Sequence, residues 1–239
     1  MKQTKLENLT TQTQAFCEKT SHESVFIFDD EPEALLHELL LGAYEDPANK
    51  KMYLKLIEQI RVLCDCSPSL LSAMLGTMGI DEYRKHSPAL AETIFRLALE
   101  ISPDEAIQNN LAYVCRRHRD TLNSSDVEIL DLLLNGIRIG DTFALINMAL
   151  HFAFALGRQD DWQLADQMFR VIQTDSSSFD SAKEWWGDLA NEQDEEGILV
   201  LRWLDRHEKI AFPEHLKESD IRLRQQRRDI PDWVFEKAQ

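Results

Sequence analysis

The histidines and cysteines are the residues of this 239-residue chain with the most chemistry to offer. His22, His37, His86, His118, His151, His207 and His215 are scattered, and no His-Glu-x-x-His pair sets two imidazoles on one helical face around a zinc ion. His37-Glu38 and His207-Glu208 read as ordinary helix-surface pairs. His151 stands in the most apolar part of the chain, where an imidazole is either a core residue or meets a ligand in a groove. Cys64-Asp65-Cys66 is spaced too closely for a structural zinc pair, and no second Cys/His pair follows at finger spacing. Gly76-Thr77-Met78-Gly79 lacks the lysine and preceding strand of a phosphate loop, and there is no Gly-x-Ser-x-Gly elbow. The acidic run Asp188, Glu192, Asp194, Glu195, Glu196 lacks the glycine and spacing of a calcium loop. No catalytic residue, metal ligand or cofactor site is assigned.

Binding chemistry has better candidates. Trp185 and Trp186 are adjacent, so on a helix their rings point about 100° apart. One can fill the core while the other faces a partner, where an exposed indole anchors an interface. The formal net charge is −16, which repels nucleic-acid phosphates and anionic membranes and suits a basic protein partner. From Val200 onward acids and bases nearly balance, with Arg222, Arg224, Arg227 and Arg228 close together, so the acidity belongs to the preceding body. Cys17, Cys64, Cys66 and Cys115 read as thiols in a reducing compartment. Residues 1–24 are polar, with no signal-peptide core, and the longest apolar stretch, 142–157, is short for a membrane span and is broken by Asn147 and His151. The expected location is the cytoplasm.

The elements that must position these residues are helical. Glycine is scarce, and Pro32, Pro47, Pro68, Pro88 and Pro103 each follow a Ser, Asp or Glu, the pattern of a capping residue followed by proline in the first turn. Apolar stripes at helical spacing run through Leu35–Ala43, Tyr53–Leu63, Leu70–Met78 and Ile129–Ile137. The stripes are wider than a single seam, so each helix is expected to touch two neighbours. Residues 1–24 read as a flexible or weakly ordered lead-in, and Val25-Phe26-Ile27-Phe28 as an extended run that docks on the first helices.

Ala91, Phe95 and Ala98 stand at i, i+4 and i+7, with Pro103 shortly after; Ala165, Phe169 and Ile172 repeat part of the pattern. Asn110-Leu111-Ala112, after Pro103, and Asn147-Met148-Ala149 occupy the centres of first helices of two repeats, and Gly157–Trp162 reads as an intra-repeat turn. Together these resemble the tetratricopeptide repeat and related helical repeats over about 88–207. The resemblance implies an all-α fold: an α-solenoid of antiparallel helix pairs with a polar C-terminal capping helix. The expected layout is a lead-in at 1–32, packed helices at 33–87, repeats at 88–208, and a capping helix and tail at 209–239, with Trp233 and Phe235 pinning the tail. It further implies that Asn110 and Asn147 line a concave groove, where an amide can bridge a peptide backbone; the other reading is that each bonds its own neighbourhood. Of the groove cations a carboxylate clamp needs, only Arg116 and Lys183 are present, so a receptor for acidic C-terminal tails is disfavoured.

The expected function is therefore binding of a protein or peptide on an acidic helical surface, with Asn110, Asn147, Trp185, Trp186 and His151 as contact residues. One version is an inhibitor or immunity protein that masks a basic effector such as a nuclease. The alternative is an adaptor for an unstructured peptide, and an enzyme on the same scaffold is the third class.

Overall fold

The computed structural model describes residues 4–20, 27, 29–139, 141–156, 159–170 and 177–206. Every regular element among them is helical, and there is no strand. The chain divides into two compact units, 1–114 and 115–239.

The first unit holds α1 (Lys5–Thr20), α2 (Asp30–Glu45), a 3-10 turn (Pro47–Asn49), α3 (Lys50–Leu63), α4 (Pro68–Arg84), α5 (Pro88–Ile101) and most of α6 (Glu105–Arg117). Helix α1 replaces the weakly ordered lead-in that the polar composition suggests. Thr4 and Glu7 cap it reciprocally: the Glu7 amide donates to Thr4 Oγ1 at 3.2 Å and the Thr4 amide to Glu7 Oε2 at 3.0 Å. Its buried face is Leu9, Thr13, Phe16 and Thr20. The two threonine hydroxyls donate to the carbonyls of Leu9 and Phe16, four residues back, at 2.8 and 2.6 Å, so burying them leaves no unmet donor. Ile27 is buried, while the rest of the 25–28 run lies outside the described residues.

Prolines 68 and 88 open α4 and α5 as the first helical residues, and Ser67 Oγ caps α4 by accepting from the Leu70 amide at 3.1 Å. Pro103 does not open α6. Asp104 is the cap, its Oδ1 accepting from the Ile107 amide at 2.9 Å, and Pro103 precedes it. Pro32 is the third residue of α2 rather than the first.

Helices α2 and α3 pack together, as do α4 and α5. Each contact is closed by an aromatic ring on a glycine: Tyr53 lies against Gly42 and Phe95 against Gly79, with no room for a methyl group between them. Ser72 Oγ ties α4 to the end of α5, donating at 2.9 Å to the Ala98 carbonyl with the Ser102 carbonyl at 3.1 Å. Among the described residues of this unit Glu82 is the buried charge. It is held by Lys85 Nζ at 2.8 Å and His37 Nε2 at 3.2 Å, so His37 belongs to an inter-helix contact as well as to a surface pair.

The second unit holds the end of α6, then α7 (Arg119–Leu122), α8 (Asp126–Ile139), α9 (Thr142–Leu150), a π-helical turn (His151–Leu156), α10 (Gln159–Arg170), α11 (Ser177–Asn191) and α12 (Glu195–Arg206). Helix α9 is its centre. It touches α8, α10 and α11, and is buried on nearly every side. Asp141 starts it, with Oδ1 accepting from the Phe143 amide at 2.9 Å. Phe143 stacks on Trp186 of α11 at 5.4 Å, and Phe169 of α10 on Trp203 of α12 at 4.3 Å. Ala91, Phe95, Ala165 and Phe169 are all buried. The expected capping helix, Trp233 and Phe235 lie outside the described residues, as do Gly157 and Arg158. No helix among the described residues is long and apolar enough to cross a membrane.

Candidate interaction site

Four consecutive basic-type residues, Arg116-Arg117-His118-Arg119, stand where α6 gives way to α7. Asn123, in the left-handed region at φ 53°, ends α7, and Ser125 Oγ accepts from the Glu128 amide at 3.2 Å to start α8. The acidic counterpart is the tight connection from α11 to α12. Gln193 turns the chain at φ 64°, and Asp194 caps α12 by accepting from the Gly197 amide at 3.0 Å.

These two corners meet in paired forks. Arg116 donates through both terminal nitrogens to Glu196, at 2.6 and 2.8 Å, and its Nη2 also reaches Asn147 Oδ1 at 3.4 Å. Arg117 donates to both oxygens of Asp194, at 3.1 and 2.5 Å, and to Glu196 at 3.2 Å. Planar guanidinium–carboxylate forks of this kind fix orientation as well as distance. The Arg116 side chain is 2% exposed, so its charge is withdrawn from water. Behind them, Arg119 Nη1 donates to Asp126 Oδ1 at 2.8 Å, and His151 Nε2 lies 3.5 Å from the same oxygen.

Burial decides the protonation states. It pushes His151 down to about 3, helped by the positive charges of Arg116 and Arg119. His118 is also lowered, by burial and then by Arg117, so both imidazoles are neutral at neutral pH. Burial raises Asp126 against the opposing pull of Arg119. Burial alone would raise Asp194, yet Arg117 and the Gly197 and Glu196 amides together hold it below the ordinary carboxylate range.

In front of the forks is an open cleft of about 640 Å³, lined by the Arg116–Thr121 segment and by Asp194–Glu196. Asp120 and Glu195 are exposed at its rim, and neither has an ion pair or hydrogen-bonded side chain among the described residues.

The five residues singled out from sequence fall differently. Asn147 is 1% exposed and His151 0% exposed; one helical turn apart, they face Arg116 and Asp126 in the interior. Both ring nitrogens of His151 lack a hydrogen-bond partner among the described residues. Trp186 is fully buried against Phe143, and Trp185 is half-buried on α11. Asn110 is half-buried on α6 in the first unit. The burial of Asn147, His151 and Trp186 keeps them from a surface partner in this conformation, because core packing of α9 took those positions. Sequence reasoning missed Arg117, Arg119 and Asp126, and took Asp194 and Glu196 only as members of an acidic run. A run of basic-type residues in a strongly acidic chain was the signal available for the first two. Among the described residues no group of three or more His, Cys, Asp or Glu side chains could hold a metal ion. The chain matches no protein-family model, no curated protein and no solved structure.

Proposed function

We propose that this chain is a protein-interaction module, a solenoid of antiparallel helix pairs akin to tetratricopeptide repeats, which docks a basic protein partner on an acidic helical surface. The observation that carries the reading is a row of carboxylates on α11. Asp180, Glu184 and Asp188 stand four residues apart on the helix, Glu192 follows at the same spacing just past its end at Asn191, and all four are exposed. Like charges at that spacing repel, costing a few tenths of a kcal/mol per pair, roughly 1 kcal/mol for the row. A basic partner would relieve this repulsion on docking. Half-buried Trp185 lies beside the row and offers an apolar anchor. Masking a basic effector, as an inhibitor or immunity protein does, is the form of action this surface suits. The peptide-adaptor version is less supported, since Asn147 is already engaged by Arg116. None of the four cysteines is in a disulfide, in keeping with a cytoplasmic setting.

The test is affinity capture followed by binding kinetics of the captured protein. The Asp180→Asn/Glu184→Gln/Asp188→Asn variant should slow association several-fold at low salt, and added salt should slow the parent chain toward the variant. A partner that associates equally fast with both chains, at every salt concentration, refutes the reading.

A further inference from the structure

We infer that an internal water molecule is a fixed part of the second unit, bound between the His151 imidazole and the Asp126 carboxylate, where it accepts from Nε2–H and donates to Oδ1. The water is held with or without a partner on α11.

His151 and Asp126 come from separate elements, the start of the π-helical turn and the start of α8. Nε2 and Oδ1 stand 3.5 Å apart, yet neither ring nitrogen has a hydrogen-bond partner among the described residues, and neither meets solvent. A neutral imidazole always has one N–H to place. Buried N–H groups with no acceptor are rare in folded proteins, because their lost hydration is not replaced. The two groups cannot simply close up. Oδ1 is already held by Arg119 Nη1 at 2.8 Å, so a swing of the carboxylate toward the ring would stretch that charge-assisted bond. The ring is fixed from its own side: the His151 amide donates to the Asn147 carbonyl, and Phe152 lies edge-on to the imidazole at 6.2 Å. A water oxygen, by contrast, can lie about 2.8–3.0 Å from both of two atoms that are 3.5 Å apart, an ordinary hydrogen-bond length to each. Oδ1 is an acceptor, since it takes the Arg119 N–H, so the water donates to it and accepts from Nε2–H. A second buried group on the segment that carries Asp126 also lacks a partner among the described residues: Ser124 Oγ, two residues before it. Polar atoms of this kind are what internal waters serve, with about three hydrogen bonds each, whereas an apolar gap of the same size stays dry. The backbone fits as well. Waters lodge where the α-helical ladder is interrupted, and here the ladder gives way to π spacing at His151 itself.

The experiment is NMR of the full chain, isotopically labelled at histidine, at neutral pH. The His151 ring signals are identified by their loss in His151→Leu. Long-range proton–nitrogen correlation reads the tautomer, and water-selected NOE and ROE spectra read contact of the ring protons with water. The expected result is a proton on Nε2 and a water contact whose NOE and ROE have opposite signs, the mark of a bound water rather than of surface hydration or proton exchange. In Ser124→Ala, which removes a hydroxyl that could relay magnetisation from solvent, the contact should persist. A proton on Nδ1, no water contact at the parent's His151 ring, or a contact that disappears in Ser124→Ala overturns the proposal. The first and second readings need no variant beyond the one used for assignment.

Discussion

Replacing Gly79 by alanine should change sign with its background. In a helix interior alanine is favoured over glycine by about 1 kcal/mol, so the substitution would ordinarily stabilise α4. A Cβ at position 79, however, would stand 2.6 Å from Phe95 Cε1 and 2.9 Å from Cδ1 and Cζ, where carbon atoms need about 3.5–4.0 Å. Phe95 is 1% exposed, so its ring has no free space to swing into. Overpacking of this kind costs about 1–3 kcal/mol. The net effect in the parent chain is then a loss of about 1 kcal/mol. Phe95→Leu removes the ring and by itself destabilises, by less than the 3–5 kcal/mol of a full truncation to alanine. In that background Gly79→Ala meets no ring and should stabilise by about 0.5–1 kcal/mol. The two substitutions should thus couple by about 1–3 kcal/mol in favour of the double variant. Urea unfolding of the four proteins, followed by far-UV circular dichroism, measures the cycle. Gly79→Ala that stabilises the parent, or a coupling near zero, would show that α4 and α5 are not held at ring-on-backbone distance.

Three further outcomes are expected. Arg116→Met leaves Glu196 short of its two-toothed partner and should destabilise the second unit by about 3 kcal/mol; all five tryptophans follow residue 115, so tryptophan fluorescence in urea reads that unit, and an unmoved midpoint refutes the assigned fork. His151 has a folded pKa of about 3 against an ordinary value of 6.5, so the unfolded chain binds the extra proton and stability is lost as pH falls below 6.5. That amounts to about 1.4 kcal/mol between pH 7.5 and 5.5, which His151→Leu should abolish; the same fluorescence titration at the two pH values gives the answer, and equal pH dependence in parent and variant would place the imidazole in water. Burial pushes the Cys64 thiol up to about 11, so iodoacetamide at pH 8 should label it only after unfolding, as read by peptide mass spectrometry; rapid native labelling would contradict its burial.

Helix content was legible in the sequence wherever the buried face was made of apolar residues. The stripes of α2, α3, α4 and α8, and the small and aromatic positions 91, 95, 165 and 169, all follow the 3.6-residue period, while α9 was legible as a continuous apolar run. Helix α1 was not, because half of its buried face is threonine, and threonine reads as polar unless its hydroxyl is known to turn back onto the helix. The Thr4…Glu7 spacing was the one local sign of it. The interior of the second unit was legible in residue type and not in role. Asn147 and His151 look like groove residues on a single helix, and only the arrival of Arg116, Arg119 and Asp126 from other helices makes them interior. The Arg116–Glu196 fork joins residues 80 positions apart, a pairing that no local spacing encodes.

The π-helical turn at 151–156 bears on how the chain can change length. An α-helix that takes in one extra residue makes room for it by widening one turn in this way. Since each residue advances a helix by about 100°, the wide turn shifts the helical phase by about that angle relative to a wheel drawn from Thr142. Losing one residue within the wide turn would restore the ordinary α repeat and leave the later side chains pointing as they do now. The same loss inside α9 would turn every later side chain away from its partners. Within this helix, 151–156 are thus where a single-residue deletion can be absorbed at less cost to the core than in α9, and where sequences descended from a common ancestor with this one would be expected to differ by one.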